Sequence, residues 1–179
     1  MSESQFDVFL AMRRRRMHRN FLPEPVDEAL LERLVYAAGR GPTARNDLRH
    51  LVVTSDARMI HSIRQVCPGW LNNAPAMIAV CTDTRLAEEV LGPSGDKATI
   101  LDSGSAAAYV SLAAPALGLG ICYVTSWPKE SVQGVLDLPP HIRPDVLLAV
   151  GHTVPNPQKA PARFKPVIHR DRYSSEAGS

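Results

Sequence analysis

Six consecutive apolar residues, Ala76-Met77-Ile78-Ala79-Val80-Cys81, stand between Pro75 and Asp83 and constrain the fold more than any other stretch. A strand with one wetted face alternates apolar and polar side chains, so a run without a polar position reads as a strand buried on both faces. Shorter strand-like runs occur at 51–54, 121–125 and 146–150. Helical patterns separate them. Asp27 is a good N-cap ahead of Leu30, Leu31, Leu34, Val35, Ala37 and Ala38, and Gly39, Gly41 and Pro42 stop that helix. Further helices are expected at 5–15, 56–66, 84–91 and 128–136, with residues 92–95 as a loop. The longest, 98–117, carries a small-residue face of Ser103, Ala106, Ala107 and Ser111, and Pro115 should kink it near its end. Strands separated by helices, with no internal repeat, predict an α+β or α/β layered domain.

At 179 residues the chain suits one domain, 1–179. Lys plus Arg (20) nearly balances Asp plus Glu (18), so total charge gives no basis for nucleic-acid binding. Cys67, Cys81 and Cys122 are far apart and the six histidines lack a metal-ligand spacing, so neither a disulfide framework nor a metal is expected. No basic-then-apolar leader opens the chain, and its apolar stretches are interrupted before about 18 residues accumulate, which predicts a cytoplasmic protein without a membrane partner. No G-x-G-x-x-G, G-x-x-x-x-G-K-[ST] or G-x-S-x-G is present.

Against that neutral background, five arginines fall within seven positions in Arg13-Arg14-Arg15-Arg16-Met17-His18-Arg19. A guanidinium is always charged and its fork fits phosphate oxygens two at a time, so the cluster predicts an anion site; a solvated helix end is the plainer alternative. Three separated features accompany it: the turn Pro42-Thr43-Ala44-Arg45-Asn46, a helix containing Asp102 that runs into Gly118-Leu119-Gly120, and a proline-rich basic arm at 155–166. In this order they resemble the nitroreductase family of FMN-dependent oxidoreductases, whose patterns R-R-S-x-R-x-F, A-P-S-x-x-N-x-Q-P and D-x-G-A-A-x-Q-N-L-L-L-A-A-x-x-L-G-L-G they approach.

That resemblance implies an α+β nitroreductase-like fold, a central mostly antiparallel sheet flanked by helices, and an intertwined homodimer with FMN at its interface. The small-residue helix 98–117 would form much of that interface. It implies cofactor-binding roles for Arg15, Arg16 and Met17 at the phosphate, Arg19 at the flavin ring, Pro42, Thr43, Ala44 and Asn46 toward the other subunit's flavin, and the backbone of Thr125 and Ser126 toward flavin N5. Arg163 and Lys165 would close on the phosphate. The implied reaction is ping-pong: hydride passes from NAD(P)H through flavin N5 to a small planar acceptor, a nitroaromatic or quinone, and no side chain acts as acid or base. The alternatives are a relative that fragments flavin with oxygen and a flavin- or anion-binding protein without turnover. This chain departs from the family patterns at Met17, which replaces a serine, at Leu48, which replaces a glutamine, at Arg49-His50, which replace Pro-Trp, and at Ala108-Tyr109, which replace Gln-Asn.

Overall fold

The computed structural model describes residues 7–70, 72–128, 130–154 and 166–173. Four strands, β1 (Arg49–Thr54), β2 (Ala76–Asp83), β3 (Leu119–Val124) and β4 (Ile142–His152), form one sheet in the order β1-β2-β4-β3, with antiparallel pairing throughout. Every residue of β2 is buried. Its side chains divide by strand alternation. Ala76, Ile78 and Val80 join a core with Leu31, Leu34, Ala106 and Val110, whereas Met77, Ala79 and Cys81 join a second core with Ile60, Ile63, Trp70 and Val132. The unbroken apolar run therefore serves two cores on opposite faces of one antiparallel sheet.

The helices are α1 (Val8–Arg14), α2 (Glu28–Arg40), α3 (Ala57–Val66), α4 (Thr84–Leu91), α5 (Gly95–Ala113) and α6 (Ser131–Val135). Helices α2 and α5 cover the first face, and α3 and α6 the second. Asp56 and Asp83 cap α3 and α4 by accepting from the N–H of Met59 (2.7 Å) and Leu86 (2.9 Å). Asp27 occupies the N-cap of α2, but its side chain makes no capping bond there.

Three expectations change, those on residues 92–95, on Pro115 and on the apolar length of the 84–117 segment. Residues 92–95 are not a loop: Gly92–Ser94 is a 3-10 turn and Gly95 already opens α5. A Cβ on Gly95 would sit 2.7 Å from the Ala87 carbonyl oxygen, so glycine permits the close join of α4 to α5. Pro115 tightens the helix end into a 3-10 turn, Ala114–Leu117, which Gly118 closes at φ +71. The small-residue face of α5 is used inside the chain: Ser103, Ala106, Ala107 and Ser111 are buried, and a Cβ on Gly41 would lie 2.9 Å from the Ala106 backbone. Ile100, Leu101 and Tyr109 of α5 remain exposed instead. The joined helical run Thr84–Leu117 does contain a window apolar enough to cross a membrane, contrary to the reading of interrupted segments, yet α5 spends its apolar side on this chain's own sheet.

A β-bulge between Val80 and Cys81 falls opposite Asp145 of β4. The Asp145 side chain, 6% exposed, accepts from Thr82 Oγ1 (2.6 Å), Ser103 Oγ (2.7 Å) and Arg143 Nε (2.6 Å), tying β2, β4 and α5 together. Arg143 extends this link to Asp96 and, at 3.3 Å, to Thr99 Oγ1.

Candidate functional site

The arginine cluster is placed by the outer edge of β3. Helix α1 ends at Arg14, the Arg15 N–H bonds the Ala11 carbonyl at 2.8 Å, and the chain then extends beside β3. Met17 forms a parallel bridge with Ile121, and the His18 N–H bonds the Ile121 carbonyl at 3.0 Å. Phe21 bridges Thr153, and the Asn73 side chain holds both its backbone groups, accepting from its N–H at 2.9 Å and donating to its carbonyl at 2.8 Å. This tight crossing requires two glycines. A Cβ on Gly120 would meet Thr153 Cγ2 at 2.4 Å and His18 Cγ at 2.7 Å; one on Gly151 would meet Pro75 Cδ at 2.7 Å and Phe21 Cδ1 at 2.8 Å. Gly118-Leu119-Gly120 thus closes a helix and opens a seat for the arginine segment.

The arginines separate. Arg16 turns back and donates to the carbonyls of Arg13 and Arg15, neutralising the C-terminal end of α1. Arg13 lies 3.8 Å from Asp7. Arg15 faces a groove, and Arg19 is exposed near the end of the bridged segment. Among the expected phosphate ligands, the structure brings Arg15 and Met17 together and leaves Arg16 occupied with its own helix.

His18 lies among these cations, and burial, then Arg16 and Arg15, lowers its pKa below the ordinary 6.5. Between the folded and unfolded values the unfolded chain binds more protons, so stability falls as the pH drops through that window. Melting temperatures followed from about pH 7.5 to about pH 5 should decline less steeply in His18→Gln than in wild type; parallel curves would show that His18 contributes nothing to the acid sensitivity.

The groove has a volume of about 630 Å³. Met12, Arg15 and Met17 form one wall, Ala108, Ser111 and Leu112 of α5 the other, and Tyr123 of β3 lies between them. Ser111 Oγ is 2.9 Å from the Tyr123 hydroxyl. Thr125 and Ser126 follow β3 directly and are exposed.

The turn at 42–46 lies elsewhere. Asp102 Oδ2 accepts from Thr43 Oγ1 (2.9 Å) and the Ala44 N–H (2.7 Å), fixing the turn to α5. Arg49 reinforces it by donating to the carbonyls of Ala38 (2.8 Å), Pro42 (3.0 Å) and Asp102 (2.9 Å). Burial lowers the Arg49 pKa, with Asp102 opposing. Asp102 and Ser111 are roughly 14 Å apart along the helix axis at 1.5 Å per residue, so one chain does not bring Pro42, Thr43, Ala44 and Asn46 to the groove. Arg163 and Lys165 lie outside the described residues. Sequence reasoning assigned no role to Tyr123, Arg49 or the Asp102 carboxylate. Asp102 alone had a signal, its place at the head of the D-x-G-like pattern in the long helix.

Residues 52–152, more than half the chain, match the nitroreductase family. A Methanothermobacter thermautotrophicus protein provisionally named NADH dehydrogenase/NAD(P)H nitroreductase is 30% identical over 161 residues, 86% of this chain and 81% of that one. The FMN reductase [NAD(P)H] of Bacillus subtilis is 26% identical over 189 residues, covering 95% and 76% respectively. The solved structure of a Bacillus subtilis protein described as the hypothetical oxidoreductase YcnD superposes with a TM-score of 0.81 at 22% identity, covering 94% of this chain and 75% of that one, a likeness of fold. The chain belongs to the nitroreductase family.

Proposed function

We propose that this chain is a single-domain FMN-dependent oxidoreductase that takes hydride from NAD(P)H and passes it to a small planar acceptor, a nitroaromatic or a quinone. The observation that carries this reading is the groove lined by Arg15, Met17 and Tyr123, with the exposed Thr125 and Ser126 following β3 directly in the chain. Its volume lies within the range of cofactor sites, and its almost wholly apolar surface, with Arg15 among the lining residues, suits the face of a flat ring. When bound, FMN supplies two-electron transfer at N5; the protein supplies placement and charge. Arg15 would hold phosphate, Arg19 the ring edge, and the backbone after β3 the side bearing N5, with Arg163 and Lys165 as further phosphate ligands.

The 42–46 turn is fixed to Asp102, away from this groove, which supports a homodimer in which each copy contributes its turn to the other's site. Exposed Phe9 (69%), Ile100 (51%), Leu101 (62%) and Tyr109 (42%) on α1 and α5 supply apolar surface for that contact. A cytoplasmic location accompanies the proposal.

Purified protein should be yellow, bleach with NADH or NADPH, and recover its colour with a quinone. Removing one charge-assisted contact costs about 1.5–3 kcal/mol, or about 10- to 100-fold in affinity. Arg15→Ala combined with Arg19→Ala should therefore yield colourless protein. A colourless wild type that FMN cannot reconstitute would sink the proposal. Loss of the flavin absorbance during turnover would indicate flavin fragmentation, and retained flavin without NAD(P)H oxidation would indicate a binding protein.

A further inference from the structure

The segment that carries the arginines is a strap along the outer edge of β3, tied at both ends. At one end the Arg15 N–H bonds the Ala11 carbonyl at 2.8 Å. At the other, Asn73 holds both backbone groups of Phe21, and the Leu22 N–H bonds the His152 carbonyl at 2.9 Å. Between these anchors the strap meets β3 through the Met17–Ile121 bridge and the His18 N–H bond to the Ile121 carbonyl at 3.0 Å, while Met17 and Arg19 stay exposed. The His18 ring is half-buried beneath it. Its Cγ and Cδ2 and the Thr153 methyl converge on Gly120, where a Cβ would come within 2.4 to 2.8 Å of all three. We propose that this strap is a pH-sensitive device: a proton on the His18 ring lifts residues 16–20 from β3 and loosens the groove wall formed by Arg15 and Met17.

Charge and placement carry the proposal. Arg16 is not free to swing away from the ring, because its guanidinium donates to the carbonyls of Arg13 and Arg15. Burial, then Arg16 and Arg15, hold the ring below the ordinary pKa of 6.5, and Arg19 adds a further cation to the strap. On the strands beneath, the titratable side chains next to Gly120 and Thr153 are Cys122 and His152. Burial raises the Cys122 pKa, so that thiol stays neutral, and a histidine supplies no negative charge. Lifted into water, the ring regains its ordinary affinity for a proton. Below about pH 6.5 the lifted strap therefore binds more protons than the seated one, and its population grows as the pH falls. The opening is local, because both anchors lie outside residues 16–20. It does not depend on what occupies the groove.

Hydrogen exchange of the full-length protein, corrected for the intrinsic pH dependence of amide exchange, tests this between about pH 7.5 and about pH 5. In wild type the protection of residues 16–20 should fall by up to about 10-fold per pH unit below about pH 6.5, while residues 76–81 of β2 keep theirs. His18→Gln, which cannot take up the proton, should hold its protection level across the range. Arg16→Gln removes one of the repelling cations and should show a smaller total loss than wild type. Wild-type protection that does not change with pH, a loss shared by residues 76–81, or a loss of the same size in His18→Gln or Arg16→Gln would overturn the proposal.

Discussion

Asp145→Ala should lower the stability of the protein by about 3–5 kcal/mol, because it removes one partner of a buried ionic network and strands the others. Asp145 is the common acceptor for Thr82, Ser103 and Arg143. Without it two hydroxyls lose their acceptor, and Arg143 keeps Asp96, whose side chain is 71% exposed and therefore holds it weakly. The effect reaches beyond one residue because Ser103 belongs to α5, whose far end walls the groove. In a domain of this size the loss corresponds to a fall in melting temperature of order 10 °C. Asp145→Asn retains one acceptor oxygen for Arg143 and should cost less. A melting temperature for Asp145→Ala within about 2 °C of wild type would show that the network contributes nothing to stability.

Gly120→Ala should have the second large effect and act on the site as well as on stability. The added Cβ meets the Thr153 methyl at 2.4 Å and the His18 ring at 2.7 and 2.8 Å. Thr153 can turn, but the contact on His18 is at the root of the ring, so relief requires residues 17–18 to lift from the edge of β3. Overpacking of this kind costs about 1–3 kcal/mol, and lifting that segment moves Arg15 away from the groove. FMN affinity should fall at least about 10-fold. Combining it with Thr153→Ser removes the methyl clash and should restore part of the stability without restoring flavin binding. Full recovery of FMN affinity in the double variant would show that His18 is not the contact that matters.

The two variants probe features that differ in how far the sequence discloses them. The arginine cluster is visible as composition, but nothing local distinguishes Arg15, which faces the groove, from Arg16, which turns back onto the carbonyls of α1. That division depends on where the helix stops and on the β3 edge that receives the next residues. Asp145 reads as an ordinary polar residue in β4, because the β-bulge that re-aims it arises only when β2 pairs with β4. Tyr123 reads as a strand aromatic until α5 brings Ser111 to its hydroxyl.

By itself the sequence determined the four strands, the double burial of β2, most of the helices and the family motifs, because side-chain periodicity and chain-breaking residues act over a few neighbouring positions. Only the tertiary structure decided that the small-residue face of α5 packs inward, that Arg49 and Asp102 hold the 42–46 turn, and that the turn and the groove occupy separate places on one chain. The seating of α5 and the tie of the turn to Asp102 rest on partners 42 to 59 residues apart, such as Ser103 with Asp145 and Thr43 with Asp102. Contacts at that separation depend on sheet order and helix placement, which no local pattern specifies.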